Sequence, residues 1–211
     1  MHKQLGLALA LAVAPLAASA GEISYSYIEG GYAQLNQKLP DVAVDGDLAR
    51  IDDIEAGGFF IAGSAELGES FHLFGGYKSG SDDVGVTILG IGGGSADVDM
   101  SQLNLGLGYH HGLSERADLL TEISYLGTEV DVEGENNEGD DARLAIGVRG
   151  LLADSLEGWI KGHYTDGDVY DGEFGATVGA QYKFSPAWGI SGEAELVDDT
   201  SLFTVGLRAS F

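Results

Sequence analysis

Charged side chains occur at the polar positions of segments that alternate between apolar and polar residues. Arg143 and Arg149 share one parity of residues 142–149, and Arg208 lies on the polar parity of the final segment. Alternate residues of a strand point to the same side of a sheet, so charges of one parity can face each other. The spacing predicts an internal ion network of Glu29, Lys78, Glu122, Arg143, Arg149, Lys161, Lys183, Glu193 and Arg208.

Glu66 and Glu195 lie on the same polar face of their strands as these charges. Two roles are compatible with the network. Opposite charges away from water are stable when they are paired and hydrogen bonded, so the network can be a structural filling of the interior. Alternatively, the same charges could set the ion preference of a narrow pore. We favour the structural interpretation and keep the ion-selective pore as the alternative.

Acidic residues also cluster between the alternating segments. The clusters lie at residues 45–47, 52–53, 82–83, 133–141, 166–171 and 198–199. Hard cations such as Ca²⁺ prefer oxygen ligands of this kind, but no cluster has the spacing of a dedicated calcium loop. We therefore predict solvated loops with no bound cofactor, and keep divalent cations at the acidic loops as the alternative.

His163 and Thr165, followed by Asp166 and Glu173, form a possible hydrolytic group. A histidine can act as the base that activates a hydroxyl nucleophile. The alternation, however, places His163 with the internal charges. We predict that the protein is not an enzyme, with a hydrolase as a minor alternative.

The elements that must position these residues are β-strands. About ten segments alternate and end in turn signals, and no helical period of convincing length is present. The segments lie at about residues 25–35, 58–67, 71–78, 102–109, 119–130, 142–149, 159–164, 174–184, 188–196 and 203–211. An even number of antiparallel strands can close into a barrel with both termini at one end, and eight strands would also permit this.

The connections between the segments are of two alternating kinds. One set is short, at residues 67–70, 111–117, 153–158 and 185–187. The other set is generally longer and acidic, at residues 36–53, 79–99, 133–140, 166–172 and 197–201. Short turns at one end and longer loops at the other are typical of transmembrane β-barrels.

The apolar parity carries side chains suited to lipid. It includes Phe71, Leu73 and Tyr77; Leu103, Leu105, Leu107 and Tyr109; Leu144, Ile146 and Val148; and Val178, Ala180 and Tyr182. A charge on a lipid face at mid-depth costs about 2–4 kcal/mol, and the strand charges fall on the other parity. A soluble sandwich or barrel would show the same alternation. Aromatic residues near strand ends, the terminal Phe211 and the loop asymmetry favour the membrane.

Composition and targeting signals agree with export. Residues 1–20 have a basic start, an apolar run from Leu5 to Leu16 and a small-x-small site, which together predict a signal peptide cut after Ala20. The chain has 34 Gly, 3 Pro and no Cys, which argues against a disulfide scaffold and suits strongly curved strands. A net charge of −24 argues against nucleic-acid binding.

Several short motifs rich in glycine and aromatic residues follow one another along the chain: SYSYIEGGYAQ at residues 24–34, FHLFGGY at 71–77, LNLGLGYHH at 103–111 and the terminal Phe. With these motifs the whole chain resembles a small outer-membrane β-barrel family of xanthomonad-type proteobacteria, once proposed as a quorum or immune-activating factor. The EGGYAQ stretch is also similar to OmpX-type barrels. The resemblance implies residence in the outer membrane and its vesicles. His163 and Thr165 are similar to the His-x-Ser motif of lipid A deacylases, with Thr in place of Ser.

The resemblance also gives the final strand a role. In outer-membrane barrels, a last strand of alternating apolar residues that ends in Phe is the signal read by the barrel assembly machinery. Here that signal would consist of Phe203, Val205, Leu207 and Phe211.

These observations predict an all-β protein, a transmembrane antiparallel up-and-down barrel over residues 21–211 that follows the signal peptide. We expect a monomer in the outer membrane of a Gram-negative bacterium, in contact with membrane lipid and lipopolysaccharide. Its expected role is envelope structure or surface interaction, as in adhesion, biofilm or vesicle formation. Divalent cations could bridge the acidic loops to lipopolysaccharide phosphates.

Overall fold

The structure, a computed structural model, describes residues 23–39, 42–44, 47–88 and 92–211, so the predicted signal peptide lies outside the described residues. In this part of the chain the regular elements are β-strands, and no helix there is long and apolar enough to cross a membrane. The strands are β1 Tyr27–Gln37, β2 Val42–Val44, β3 Asp47–Ile51, β4 Ile54–Leu67, β5 Phe71–Ile88, β6 Gly92–Ser114, β7 Ala117–Val132, β8 Glu135–Ala153, β9 Leu156–Gly167, β10 Glu173–Lys183, β11 Trp188–Val197 and β12 Thr200–Ser210.

Ten of these strands, β1 and β4 to β12, form a closed antiparallel ring. Each strand pairs with its neighbours in the ring, β5 pairs with β6, and β1 pairs with β12 to close the circle. β2 and β3 form a short hairpin that joins β5 through β3 and lies outside the ring. The predicted up-and-down barrel is therefore confirmed, with ten strands in the ring rather than eight.

Alternation along each strand separates an outer apolar surface from a polar lumen. Leu105, Ile146 and Val178 are 53%, 59% and 53% exposed on the outside of the ring. Glu29 and Arg208, which are neighbours in the β1–β12 register, are buried on the inside. Within the apolar belt, the outer surface can lie against hydrocarbon because the ionised side chains of the described strands point into the lumen at this height.

The two ends of the barrel differ. One end, called here the terminus end, carries Phe211 and the short turns at residues 68–70, 115–116, 154–155 and 184–187. The opposite end, the loop end, carries the turn at residues 133–134, where Glu133 and Gly134 have φ of 55° and 88°. Two successive residues with positive φ suit a tight hairpin turn whose twist matches that of its strands.

The lengths of two predicted loops at this end were wrong. Residues 79–99 are largely strand, because β5 and β6 stay paired out to Ile88 and Gly92. Residues 133–140 are strand from Glu135 onwards. Polar and glycine-rich composition suggested loops, but backbone pairing continues through these residues beyond the apolar belt.

This continuation produces a sheet that projects from the loop end. β5, β6, β7 and β8 have 18, 23, 16 and 19 residues. A tilted strand needs only about 9–11 residues to cross the hydrocarbon of a bilayer. The parts of these strands beyond the apolar belt, residues 79–88, 92–101, 127–132 and 135–141, are called here the extension.

Candidate functional site

The lumen of the barrel is occupied by layers of paired charges. The layer nearest the terminus end is built on Glu157, which is 0% exposed. Arg149 Nε donates to Glu157 Oε1 at 2.5 Å, and Lys183 Nζ lies 3.1 Å from Glu157 Oε2. One carboxylate thus compensates two cations that the sequence predicted to be internal.

The residues that precede β1 close this end of the lumen. The Tyr25 hydroxyl donates to Asp118 Oδ2 at 2.8 Å, and its ring stacks on His110 with centroids 3.8 Å apart. His72 lies on the ring at 4.9 Å, and the Arg149 guanidinium at 4.8 Å. Burial raises the pKa of the Tyr25 phenol, so the hydroxyl stays protonated and remains a donor.

The middle layer contains two groups of bonds. Arg208 Nε donates to Glu29 Oε2 at 2.7 Å, while Ser191 donates to the other oxygen of Glu29. Arg208 also lies over the Trp159 ring at 5.0 Å, and Trp159 Nε1 donates to Glu193 Oε2 at 2.7 Å. These contacts link β1, β9, β11 and β12 inside the barrel.

The second group of the middle layer joins β5, β7 and β9. Lys161 Nζ donates to Glu122 Oε2 at 3.0 Å. His72 Nε2 lies 3.8 Å from the other oxygen of the same carboxylate. Glu122 therefore sits between a lysine and a histidine from strands on either side of it.

The layer nearest the loop end is centred on Arg143. Its Nη2 lies 2.9 Å from Glu195 Oε1, and its Nε donates to Thr165 Oγ1 at 2.9 Å. Tyr170, from the connection between β9 and β10, lies 5.9 Å from the guanidinium. Lys78 also points into this region, and among the described side chains no carboxylate lies within 4.0 Å of its Nζ.

Sequence reasoning missed several of these side chains. Glu157 was assigned to a turn at residues 153–158, but β9 begins at Leu156. Extending the alternation of Trp159 and Lys161 two residues backwards would have placed Glu157 inside. Tyr25 belongs to the alternating segment 25–35 and shares its parity with Glu29, but its position before β1 could not be read from that pattern. Asp118 lies at the start of β7, just outside the alternating segment 119–130.

The possible hydrolytic group lies inside the barrel. His163 and Thr165 are 5% and 0% exposed, and the Thr165 hydroxyl accepts its hydrogen bond from Arg143. Both side chains therefore face away from the lipid surface, where a lipid A acyl ester would lie. Among the described residues, neither ring nitrogen of His163 has a hydrogen-bond partner.

A cavity of about 370 Å³ remains in the lumen at the loop end. Its lining is mostly apolar, with Lys78, Gln102, Tyr170 and Glu195 among its polar groups. Lys78 and Glu195 also line a smaller cavity of about 150 Å³ further into the barrel. The Arg143–Glu195 pair lies between the larger cavity and the middle layer.

The outer face of the extension carries a continuous row of acids. Three pairs of them are direct cross-strand neighbours. These pairs are Asp83 with Asp97, Asp99 with Asp131, and Glu129 with Glu138. Residues two apart along a strand share a face, so the pairs join into one strip across β5 to β8, called here the acidic strip. Like charges directly opposite each other destabilise a sheet, so this arrangement has a cost in stability.

Binding of divalent cations by the acidic loops is the alternative that the sequence leaves open. Among the side chains that the structure describes, no group of three or more His, Asp or Glu is arranged to hold a metal ion. Part of the predicted cluster at residues 45–47 lies outside the described residues. Cations held jointly by the protein and a second molecule stay a prediction.

The final strand presents its apolar side chains to the outside. Phe203, Val205 and Leu207 are all about half exposed there, as is Phe211. Phe211 N donates to Ser26 O at 2.9 Å, which ties the carboxyl terminus to the residues before β1. Recognition of this strand by the assembly machinery stays a prediction.

A ring with an apolar exterior, a charged interior and extended strands at one end defines an outer-membrane-type β-barrel. Residues 6–211 match the family model described as outer membrane protein beta-barrel domain, and the chain belongs to this family. A search of curated proteins gave no match. The more specific resemblance to a xanthomonad-type family stays a prediction.

Solved structures of known barrels share the fold. The β domain of the Bordetella autotransporter BrkA is 12% identical with a TM-score of 0.55, over 88% of this chain and 99% of that one. The translocator domain of NalP from Neisseria meningitidis is 9% identical with a TM-score of 0.52, over 90% of each chain. OprG from Pseudomonas aeruginosa is 14% identical with a TM-score of 0.47, over 91% of this chain and 98% of that one. For the BrkA and NalP domains, whose TM-scores exceed 0.5, the likeness concerns the fold alone.

Proposed function

We propose that this protein is a closed outer-membrane barrel that acts at the cell surface through its acidic extension. It is exported by a signal peptide cut after Ala20 and inserted as a monomer with the loop end outside. The observation that carries the proposal of a closed barrel is the set of charge pairs that cross the lumen at three heights. The terminus-end, middle and loop-end layers each join side chains from several strands.

The paired layers argue for a structural interior. An ion that entered would have to displace buried pairs such as Arg149–Glu157 or Arg208–Glu29, and breaking one buried pair costs about 3–5 kcal/mol. Tyr25 adds a stacked aromatic ring to the terminus end of the same path. Both features favour a barrel that does not conduct.

The acidic strip supports a role at the surface. Opposed acids weaken strand pairing, and features that break a local rule are expected where function requires them. The strip follows directly on the apolar belt, because Asp99 precedes Leu103 on the same face of β6. At that height the partners available in an outer membrane are lipopolysaccharide phosphates, which Ca²⁺ or Mg²⁺ would bridge to the carboxylates.

The surface role is tested by the amount of lipopolysaccharide that the purified barrel retains. We expect retention after washing in Ca²⁺ and loss after washing in EDTA. Neutralising three strip residues (Asp99→Asn, Glu129→Gln and Asp131→Asn) should lower retention in Ca²⁺. Neutralising three acids of the terminus end (Glu69→Gln, Glu115→Gln and Asp154→Asn) is the matched control and should not. Retention that responds to neither chelation nor the strip variant would refute the surface contact.

A narrow ion-selective pore is the second candidate. The lumen contains cavities of about 80 and 150 Å³ between its charged layers, which water and small ions could use if the pairs rearranged. Planar-bilayer recording separates the two roles. The closed barrel predicts no discrete conductance steps, whereas reproducible steps with a reversal potential set by one ion would favour the pore.

A further inference from the structure

The loop-end cavity has the features of a small-molecule site that the surface role does not use. Its volume of about 370 Å³ lies within the range of about 300–1,000 Å³ typical of ligand sites. Its walls are formed mainly by aliphatic side chains, among them Leu35, Ile54, Met100, Val130, Val197 and Leu202. Such walls bind hydrocarbon because binding removes apolar surface from water.

The floor of this cavity is polar. Beneath it, Arg143 forms an ion pair with Glu195 and donates a hydrogen bond to Thr165 Oγ1, and these contacts lie between the cavity and the middle layer. Gln102, opposite Lys78 in the β5–β6 register, donates to Thr128 Oγ1 at 3.2 Å. The cavity is therefore bounded towards the middle layer by paired polar side chains.

Lys78 differs from the other cations of the lumen. Each of the other five has a glutamate within 4.0 Å. Among the described side chains Lys78 has none within that distance, although it interacts with the more distant Glu195. Because Glu195 is already bound to Arg143, the Lys78 ammonium keeps donors that a further anion could accept from.

We propose that the loop-end cavity binds a small amphipathic monocarboxylic acid. Its apolar chain lies against the aliphatic walls, and its carboxylate accepts hydrogen bonds from Lys78 Nζ. Glu173 and Glu195 also line the cavity, so a second negative charge on the ligand would meet a carboxylate instead of an ammonium group, which disfavours dianions. This assignment does not depend on the contact with lipopolysaccharide.

Met100 provides a selective reporter for the test. The chain has only two methionines, Met100 in the cavity wall and Met1 in the predicted signal peptide. In protein labelled with ¹³C at the methionine methyl group and placed in phosphatidylcholine nanodiscs, Met100→Leu assigns the cavity signal. We expect decanoate to shift this signal saturably, decanol to bind at least tenfold more weakly, and decylamine to bind more weakly than decanol.

Variants separate the carboxylate contact from hydrocarbon binding. Lys78→Gln should weaken decanoate binding about tenfold or more and leave decanol binding unchanged. Lys38→Gln, at an exposed lysine of the same end, is the matched control and should bind decanoate normally. Val130→Trp fills the cavity and should abolish the response to both ligands, which also corrects for partition into the lipid.

Three results would overturn the proposal: an unshifted Met100 signal at saturating decanoate, equal decanoate affinity of Lys78→Gln and the wild type, or tighter binding of decylamine than of decanoate. Folding of each variant is checked by heat-modifiable gel migration. If Lys78→Gln does not fold, Lys78→Arg and Lys78→Met form the substitute pair, of which only Lys78→Arg should retain decanoate binding.

Discussion

At the scale of single residues, Glu157 is the carboxylate on which two buried cations of the lumen depend. It is fully buried and lies between two cations, Arg149 and Lys183. Removing its charge would leave both cations uncompensated in a region of low dielectric constant. The ion network therefore depends on this residue more than on the exposed acids.

Glu157→Gln should lower the free energy of unfolding by about 3–5 kcal/mol. The measurement is urea unfolding of the barrel in phosphatidylcholine vesicles. Glu69→Gln, at an exposed acid of the turn between β4 and β5, should change stability by less than about 0.5 kcal/mol. Equal stability of the two variants would contradict the role of Glu157.

The Asp83–Asp97 pair gives the extension a predicted dependence on pH. A hydrogen bond with the Asp97 carboxyl raises the pKa of Asp83 above its ordinary value. A raised pKa means that the folded hairpin holds a proton more tightly than the unfolded chain does. This contribution to stability is present at low pH and is lost as pH rises through the raised pKa.

The test is carboxyl ¹³C titration of Asp83 by NMR in the wild type and in Asp97→Asn. We expect a midpoint for Asp83 above about 3.9 in the wild type, and a lower midpoint without the Asp97 carboxyl. Identical midpoints in the two proteins would show that the pair does not share a proton.

At the scale of elements, strand parity was readable from the sequence, but strand ends were not. The alternation of Leu103, Leu105 and Leu107 fixes which side of β6 is apolar, and the structure has these side chains outside. The end of β6 at Gly92 could not be read, because glycine and polar residues suit loops as well as exposed strands. Pairing with β5, a contact distant in sequence, decides this region.

The same limit applies to the candidate site. Parity singled out Arg143 and Lys161, but their partners depend on which strands face each other across the ring. Arg143 on β8 meets Glu195 on β11, and Lys161 on β9 meets Glu122 on β7. Such pairings follow from closure and strand stagger, which no local pattern records.

β12 carries the prediction that concerns assembly. Phe211→Ala should lower the amount of barrel in the outer membrane of cells, since the terminal aromatic of the predicted assembly signal is lost. Refolding of the purified variant into vesicles without the assembly machinery should stay close to that of the wild type. Phe203→Leu, which keeps an apolar side chain within the strand, is the control. Equal losses in cells and in vesicles would indicate a folding defect instead.

At the scale of the whole molecule, the barrel is a cylinder with an apolar surface for lipid outside and paired charges inside. The chain has no Cys, so a single introduced cysteine can carry one spin label at any chosen position. β6 offers a clean series across the barrel wall, with Leu103, Leu105 and Leu107 outside and Gln102 and Asn104 inside.

The most direct test is therefore a spin-label scan of residues 102–107 of the barrel in lipid vesicles, with oxygen and a water-soluble nickel chelate as relaxing agents. We expect high collision rates with oxygen at residues 103, 105 and 107, and low collision rates with oxygen at residues 102 and 104. Uniform accessibility along the series, or lipid contact at residues 102 and 104, would contradict this arrangement.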